Sequence, residues 1–328
     1  MTVIGQIVNM KDSLRLLVVS TALISMTISC ANHEIVVQKS YINKMSIYPD
    51  SSFVGDIRGL QFNNNHLFFL DINRRSLLIL DRELSAIHSV SRGGRSKEEL
   101  LEPFSFTVSG DSVFVIDFGN LKMKSYIKGE FIGEKSIPVN TRDQRFVKDG
   151  NLFFLPVRDS DASVVKTSLS GSPITVLQAE EFFSPVKTMT MNSCHILSYE
   201  GNLAIIPEAL PWVKILSKDG RFIRTIDLLS SATYRRNISF AKKAETEENS
   251  FYVLNCDACI KGDTLLILTP TYGSYYACNR IVSVNLKTGE TSETIMLLSG
   301  EVYSTFCTDG ERLYAFNSSE TQLEVYEM

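Results

Sequence analysis

Six times along the chain a short turn of Asn, Asp, Glu or Gly leads into four consecutive apolar residues. The runs are Leu67 to Leu70, Val113 to Ile116, Leu152 to Leu155, Leu203 to Ile206, Leu265 to Leu268 and Leu313 to Phe316. A sheet with one wet face alternates apolar and polar residues, so an unbroken run predicts a strand covered on both sides. Each run is followed by a second strand, as in Ser76-Leu77-Leu78-Ile79-Leu80-Asp81 and Arg280-Ile281-Val282-Ser283-Val284-Asn285. A third strand follows after turn chemistry such as Lys218-Asp219-Gly220-Arg221, which suits a tight hairpin.

The first residues of successive runs stand 39 to 62 positions apart. Roughly 40 to 50 residues is what a four-stranded propeller blade occupies, and repeats of that period signal stacked units. The pattern therefore predicts an all-β, six-bladed β-propeller of four-stranded antiparallel blades spanning 34–328. The last copy ends at Leu323-Glu324-Val325-Tyr326-Glu327-Met328, a third strand with no fourth behind it. Glu34-Ile35-Val36-Val37-Gln38-Lys39 is strand-like and is expected to complete that blade, so that the N-terminal strand closes the ring and covers an exposed edge. An open sandwich is the competing architecture.

The segment ahead of the repeat is of another kind. Lys11 and Arg15 precede the apolar run Leu16 to Ile28, about the length of a signal-peptide core and short for a membrane span. The expected organisation is a signal peptide over 1–29, a lipidated tether over 30–33 and one propeller domain over 34–328. Thr27-Ile28-Ser29-Cys30 resembles the lipobox of bacterial lipoproteins, which makes Cys30 the expected lipid attachment residue. The expected location is the cell envelope, with the outer membrane as the anchoring surface and the facing of the domain left open.

Composition narrows the function classes. Lys and Arg number 33 against 37 Asp and Glu, a formal charge of −4, which argues against nucleic-acid binding. Beyond Cys30 the thiols are Cys194, Cys256, Cys259, Cys278 and Cys307. They are an odd number, so at least one cannot pair within the chain, and free buried thiols are the expectation.

Six such copies behind a lipobox resemble the TolB-like and NHL-like six-bladed propeller lipoproteins of bacteria, over essentially all of 34–328. The most specific stretch is Ser91-Arg92-Gly93-Gly94-Arg95-Ser96-Lys97-Glu98-Glu99-Leu100-Leu101-Glu102-Pro103-Phe104, a Gly-rich turn, acidic residues and a Pro leading into the next blade. The Gly-Pro pair often found in that turn is absent. The resemblance implies the fold and leaves the activity open, because related propellers include scaffolds, binding modules and metal-dependent lactonases and lyases.

Candidate chemistry is sparse. Gly93-Gly94 between Arg92 and Arg95 could present amides and guanidinium groups to an anion, although an inter-blade turn using Gly for positive φ is the favoured reading. Cys256-Asp257-Ala258-Cys259 has the spacing of half a zinc site or of a redox motif, but it has no second ligand pair and no βαβ context. His33, His66, His88 and His195 are scattered, with ordinary surface roles expected for His66 and His88. A metal-dependent hydrolase would need carboxylates or amides from several blades at the tunnel, for which Asp71, Asp117 and Asp257 qualify by type. Asp71 and Asp117 recur with the repeat, and this favours turn capping. The irregular, charged stretch from Leu228 to Ser250 suggests an inserted loop or short helix between blades four and five. No catalytic, metal or cofactor residue is assigned. The leading expectation is a binding or scaffold module for a protein, peptide or glycan; the alternative is a metal-dependent hydrolase or lyase at the central tunnel.

Overall fold

The computed structural model describes residues 35–137, 144–157, 164–168, 175–178, 193–244, 252–273 and 276–328. The expected signal peptide over 1–29, Cys30, the expected tether over 30–33 and the acidic end of the insertion, Glu245 to Ser250, lie outside the described residues.

The described strands form six antiparallel sheets. Blade one is β3 (Ile57–Asn63), β4 (His66–Asp71), β5 (Ser76–Asp81) and β6 (Ile87–Ser89). Blade two is β7 (Pro103–Ser109), β8 (Ser112–Asp117), β9 (Lys122–Ile127) and β10 (Glu130–Ser136). Blade three is β11 (Val147–Asp149), β12 (Leu152–Pro156), β13 (Val164–Ser168) and β14 (Thr175–Gln178). Blade four is β15 (Cys194–Tyr199), β16 (Asn202–Pro207), β17 (Trp212–Leu216) and β18 (Phe222–Asp227). Blade five contains β19 (Asp257–Lys261), β20 (Thr264–Thr271), β21 (Ala277–Asn285) and β22 (Thr291–Met296), and blade six contains β23 (Tyr303–Thr308), β24 (Arg312–Asn317) and β25 (Gln322–Glu327). The first strands touch in the cyclic order β3, β7, β11, β15, β19, β23 and back to β3, so they ring a central tunnel.

The unbroken apolar runs explain the packing. Leu67 and Phe69 face blade six, while Phe68 and Leu70 face blade two. Leu265 and Ile267 likewise pack on blade four, and Leu266 and Leu268 on blade six. Successive side chains of a strand point to opposite faces, and here each face meets another blade. Six buried apolar clusters result, one at every interface between neighbouring blades.

Closure differs in one respect from the sequence expectation. The strand that completes blade six is β2 (Tyr41–Met45), paired antiparallel with β25 from Tyr41 opposite Tyr326 to Met45 opposite Leu323. The more apolar stretch expected in that place supplies β1 (Ile35–Gln38), a fifth strand at the outer edge of blade five. Just beyond it the Lys39 N–H donates to the Met296 carbonyl at 2.9 Å. An outer strand is half exposed wherever it lies, so hydrophobicity marks it without choosing its partner. Chain order does choose it, because blade six adjoins blade one and takes the strand leading directly into blade one. Only Met45 of β2 is buried, and it packs with Leu323 and Val325.

The insertion between blades four and five is a helix, Ala232–Ala244, preceded by a single 3-10 turn. Its Asn237 amide donates to the Pro270 carbonyl at 2.7 Å, and Phe240 stacks on Tyr272 at 5.4 Å, which fastens it to the end of β20 and the link after it.

Candidate functional site

The buried carboxylates that recur with the repeat serve the blades themselves. Asp71, at the end of β4, accepts from the Tyr48 hydroxyl at 2.8 Å, the Gly55 N–H at 3.1 Å and the Arg74 N–H at 3.0 Å. A Cβ at Gly55 would lie 2.3 Å from the Asp71 carboxylate, so the approach needs glycine. Asp117, at the end of β8, accepts from the Glu102 N–H and the Asn120 amide, each at 2.7 Å, and lies 3.4 Å from the buried Lys124 ammonium. Both are capping residues with all partners nearby.

The Gly93-Gly94 turn holds its own anion. Glu99 accepts from Arg92 and from the Ser96 N–H, each at 2.9 Å, and a Cβ at Gly94 would collide with that carboxylate. Neither glycine has positive φ, contrary to the sequence expectation; close approach of Glu99 to Gly94, and of the Arg74 carbonyl to Gly93, is what excludes a side chain. His66 and His88 are exposed on blade one, as expected.

The tunnel contains what the repeat does not. Arg145 enters just ahead of β11 and makes a two-pronged ion pair with Asp257, the first residue of β19, at 2.5 and 2.7 Å. Arg145 also donates to the Phe306 carbonyl at 2.7 Å in blade six. Asp257 further accepts from the Thr305 hydroxyl at 2.7 Å and from the backbone N–H groups of Phe306 and Ala258. Thr305 in turn accepts from the Leu60 N–H of blade one at 3.0 Å, and Ser105 of blade two donates to the Gln144 carbonyl at 2.7 Å. With His195 of blade four accepting from the Arg145 N–H, the polar floor draws on all six blades. Burial alone would push the Asp257 carboxyl up, yet the Arg145 guanidinium holds it below the usual carboxylate range.

This floor has a cavity on either side. One, of about 240 Å³, is lined by Arg145, Gln61 and Lys148 together with apolar groups such as Val108, Leu197 and Ile260. The other, of about 400 Å³, is lined by Asp56 and Arg58 of blade one, Gln144, His195, Glu208, and the Cys256, Asp257 and Tyr276 side of blade five. Carboxylate or amide groups from four blades thus converge at this mouth. Asp257 is engaged by Arg145, Asp56 by Arg58 at 3.3 Å, and Glu208 by the Gln144 amide at 2.7 Å. Among the described residues no three His, Cys, Asp or Glu side chains gather closely enough to hold a metal ion.

His195 is the unusual member. Its ring is 2% exposed. Nδ1 accepts from the Arg145 N–H at 3.3 Å, which leaves the proton on Nε2. Nε2 is buried, finds no hydrogen-bond partner among the described residues, and stands 4.0 Å from Glu208 Oε1, beyond hydrogen-bond reach. Glu208 is fixed by its backbone, which receives the Leu254 and Asn255 N–H groups.

Cys256 and Cys259 do not converge, whereas Cys256 and Cys278 are hydrogen-bonded neighbours on the larger cavity. Cys256 lines the larger cavity and Cys259 the smaller one, on opposite sides of Asp257. None of the five described cysteines is in a disulfide, and burial pushes the thiols of Cys194, Cys259, Cys278 and Cys307 up, Cys259 to about 12. Such thiols are poor nucleophiles and poor metal ligands.

A family model described as a 6-bladed beta-propeller, DUF5128, matches residues 48–255. The chain belongs to that family. No curated protein matches this propeller. Among solved structures it is similar in fold to a Bacteroides fragilis protein named as a candidate exported protein, at 14% identity and a TM-score of 0.57, over 89% of this chain and 98% of that one. A member of the DUF4221 family from Bacteroides vulgatus is similar at 11% identity and a TM-score of 0.58, over 88% of this chain and 97% of that one. A Bacteroides thetaiotaomicron protein of unknown function is similar at 12% identity and a TM-score of 0.58, over 90% and 75% of the two chains. At these identities the likeness is one of fold.

Proposed function

We propose that the protein is an envelope lipoprotein, anchored through Cys30, whose propeller is a binding module with its recognition site at the larger tunnel mouth. The observation that carries the binding reading is the buried His195 Nε2–H, without a partner among the described residues, on a side chain that lines a cavity of about 400 Å³ together with the Glu208 carboxylate. Cavities of roughly 300–1,000 Å³ with a few convergent polar groups are the usual form of small-ligand sites. The anchoring reading rests on Lys11, Arg15, the apolar run Leu16 to Ile28 and Ser29-Cys30. The exported designation of the similar Bacteroides fragilis protein agrees with it. A metal-dependent hydrolase or lyase fits this mouth less well, because the Arg58 guanidinium lines it and the Asp257 carboxylate is already paired with Arg145.

Two experiments separate the parts of this proposal. Cys30→Ala should move the protein from the membrane fraction to the soluble envelope fraction, and continued membrane association would reject lipid anchoring. His195→Phe, which puts an apolar ring at the cavity floor, should abolish retention of whichever glycan or peptide the wild-type protein holds in a mixed screen. Retention that survives the change would place the site elsewhere on the propeller.

A further inference from the structure

Resting on that reading of the mouth, we infer that its ligand is an uncharged, hydroxyl-rich molecule, a neutral saccharide, with one hydroxyl seated between His195 Nε2 and Glu208.

His195 Nε2 offers a proton, since Nδ1 already accepts from the Arg145 N–H. Glu208 as a carboxylate offers only lone pairs. Its Oε1 already receives the Gln144 amide and stands 4.0 Å from Nε2, with a second lone pair to give. Nε2 is closed to solvent in this structure, so a single oxygen reaches both when a small side-chain shift opens the gap, provided it accepts from the ring and donates to the carboxylate. An ammonium group cannot accept from Nε2–H, and a carboxylate cannot donate to Glu208 and would be repelled by it. A hydroxyl does both.

The walls add a second requirement. Tyr276 lines the same cavity with 51% of its surface exposed. It is held from behind by Tyr272, 5.9 Å away between ring centres, which is itself stacked on Phe240 of the inserted helix. The electron-rich face of an aromatic ring attracts the weakly positive C–H edges of a sugar ring. Asp56 and Arg58, paired at 3.3 Å on the blade-one side, offer an acceptor and donors for further hydroxyls while adding no net charge. The inserted helix thereby acquires a purpose: it braces the aromatic platform of the mouth.

The test is ligand-observed NMR on the full chain with galactose, mannose and N-acetylglucosamine, with glucosamine and glucuronate as cationic and anionic controls, and with an uncharged tetrapeptide. Wild type, Glu208→Gln, Tyr276→Ala and His195→Phe are compared after circular dichroism shows that each is folded. The inference predicts that at least one neutral sugar binds and that glucuronate binds at least about tenfold more weakly. Glu208→Gln should cost about tenfold, the scale of one charge-assisted hydrogen bond, and His195→Phe should abolish binding. Glucosamine or the peptide binding in preference to every neutral sugar, with loss in His195→Phe, would overturn the saccharide inference and leave the mouth as the site. Sugar binding unaffected by His195→Phe would overturn both, and so would the failure of every probe to bind the wild-type protein.

Discussion

Two sets of buried carboxylates in this propeller differ in where their partners come from. Asp71 and Asp117 are served from within their own blades and the links leading into them, over no more than 23 residues of sequence. Asp257 is served by Arg145, Thr305 and Phe306, the first 112 residues away, and Glu208 by Gln144, 64 residues away. The first set belongs to the repeat and builds blades. The second departs from the repeat and exists only once the ring has closed. Whatever distinguishes one propeller from another therefore lies where the repeat is broken, and in this chain the breaks cluster at one tunnel mouth.

The largest expected effect is at the floor. Asp257→Ala leaves the Arg145 guanidinium buried without its partner, and should lower stability in urea unfolding by about 3–5 kcal/mol. The same pair predicts an acid limb. Asp257 is held below the ordinary value, so its contribution is complete above the unfolded carboxylate range, near about pH 3.9, and disappears as pH falls through the folded value. Asp257→Asn should be less stable at neutral pH and show a flatter stability profile in acid; an unchanged acid slope would mean that other carboxylates set it. Next comes Asp71→Ala, which orphans the Tyr48 hydroxyl and the Gly55 N–H, with an expected loss of about 1–3 kcal/mol. If that loss equalled the Asp257 one, the distinction between the two sets would have no energetic content. Glu208→Gln should change stability by less than about 1 kcal/mol while weakening ligand binding about tenfold, the signature of a residue kept for recognition. At the bottom of the scale, the exposed Lys287–Asp263 pair at 2.7 Å should be dispensable, and Lys287→Ala should leave the unfolding midpoint within experimental scatter.

The same division explains what was legible in the sequence. The propeller was legible because every second strand is apolar on both faces, and such a run has few alternatives to burial between two blades. The closing strand was misplaced: Ile35-Val36-Val37 is the more apolar stretch, but Tyr41–Met45 is the one beside blade six. Asp71 and Asp117 were read correctly as caps because they recur. Asp257 was singled out by residue type alone, while its role in an ion pair depended on Arg145, which sits ahead of a three-residue strand and carries no pattern. Gln144 and Glu208 were missed, and His195 was set aside as isolated.

One signal was available. The residue opposite the last apolar position of each run is Arg58 in blade one, Ser105 in blade two, His195 in blade four, Asp257 in blade five and Thr305 in blade six. Aligning the copies on their apolar runs and reading that one polar position of the inner strand points to the tunnel floor.

The most direct test of the central claim is the tautomer of His195, read from its imidazole ¹⁵N shifts in a long-range ¹H–¹⁵N correlation spectrum. The chain has four histidines, and a His195→Phe spectrum assigns the signal. The account predicts the Nε2–H form, with an Nε2 resonance that moves on addition of a bound sugar while Nδ1 stays in place. A stable Nδ1–H form would put the donor on the Arg145 side and an acceptor toward the cavity, and the mouth would no longer be built to receive a hydroxyl.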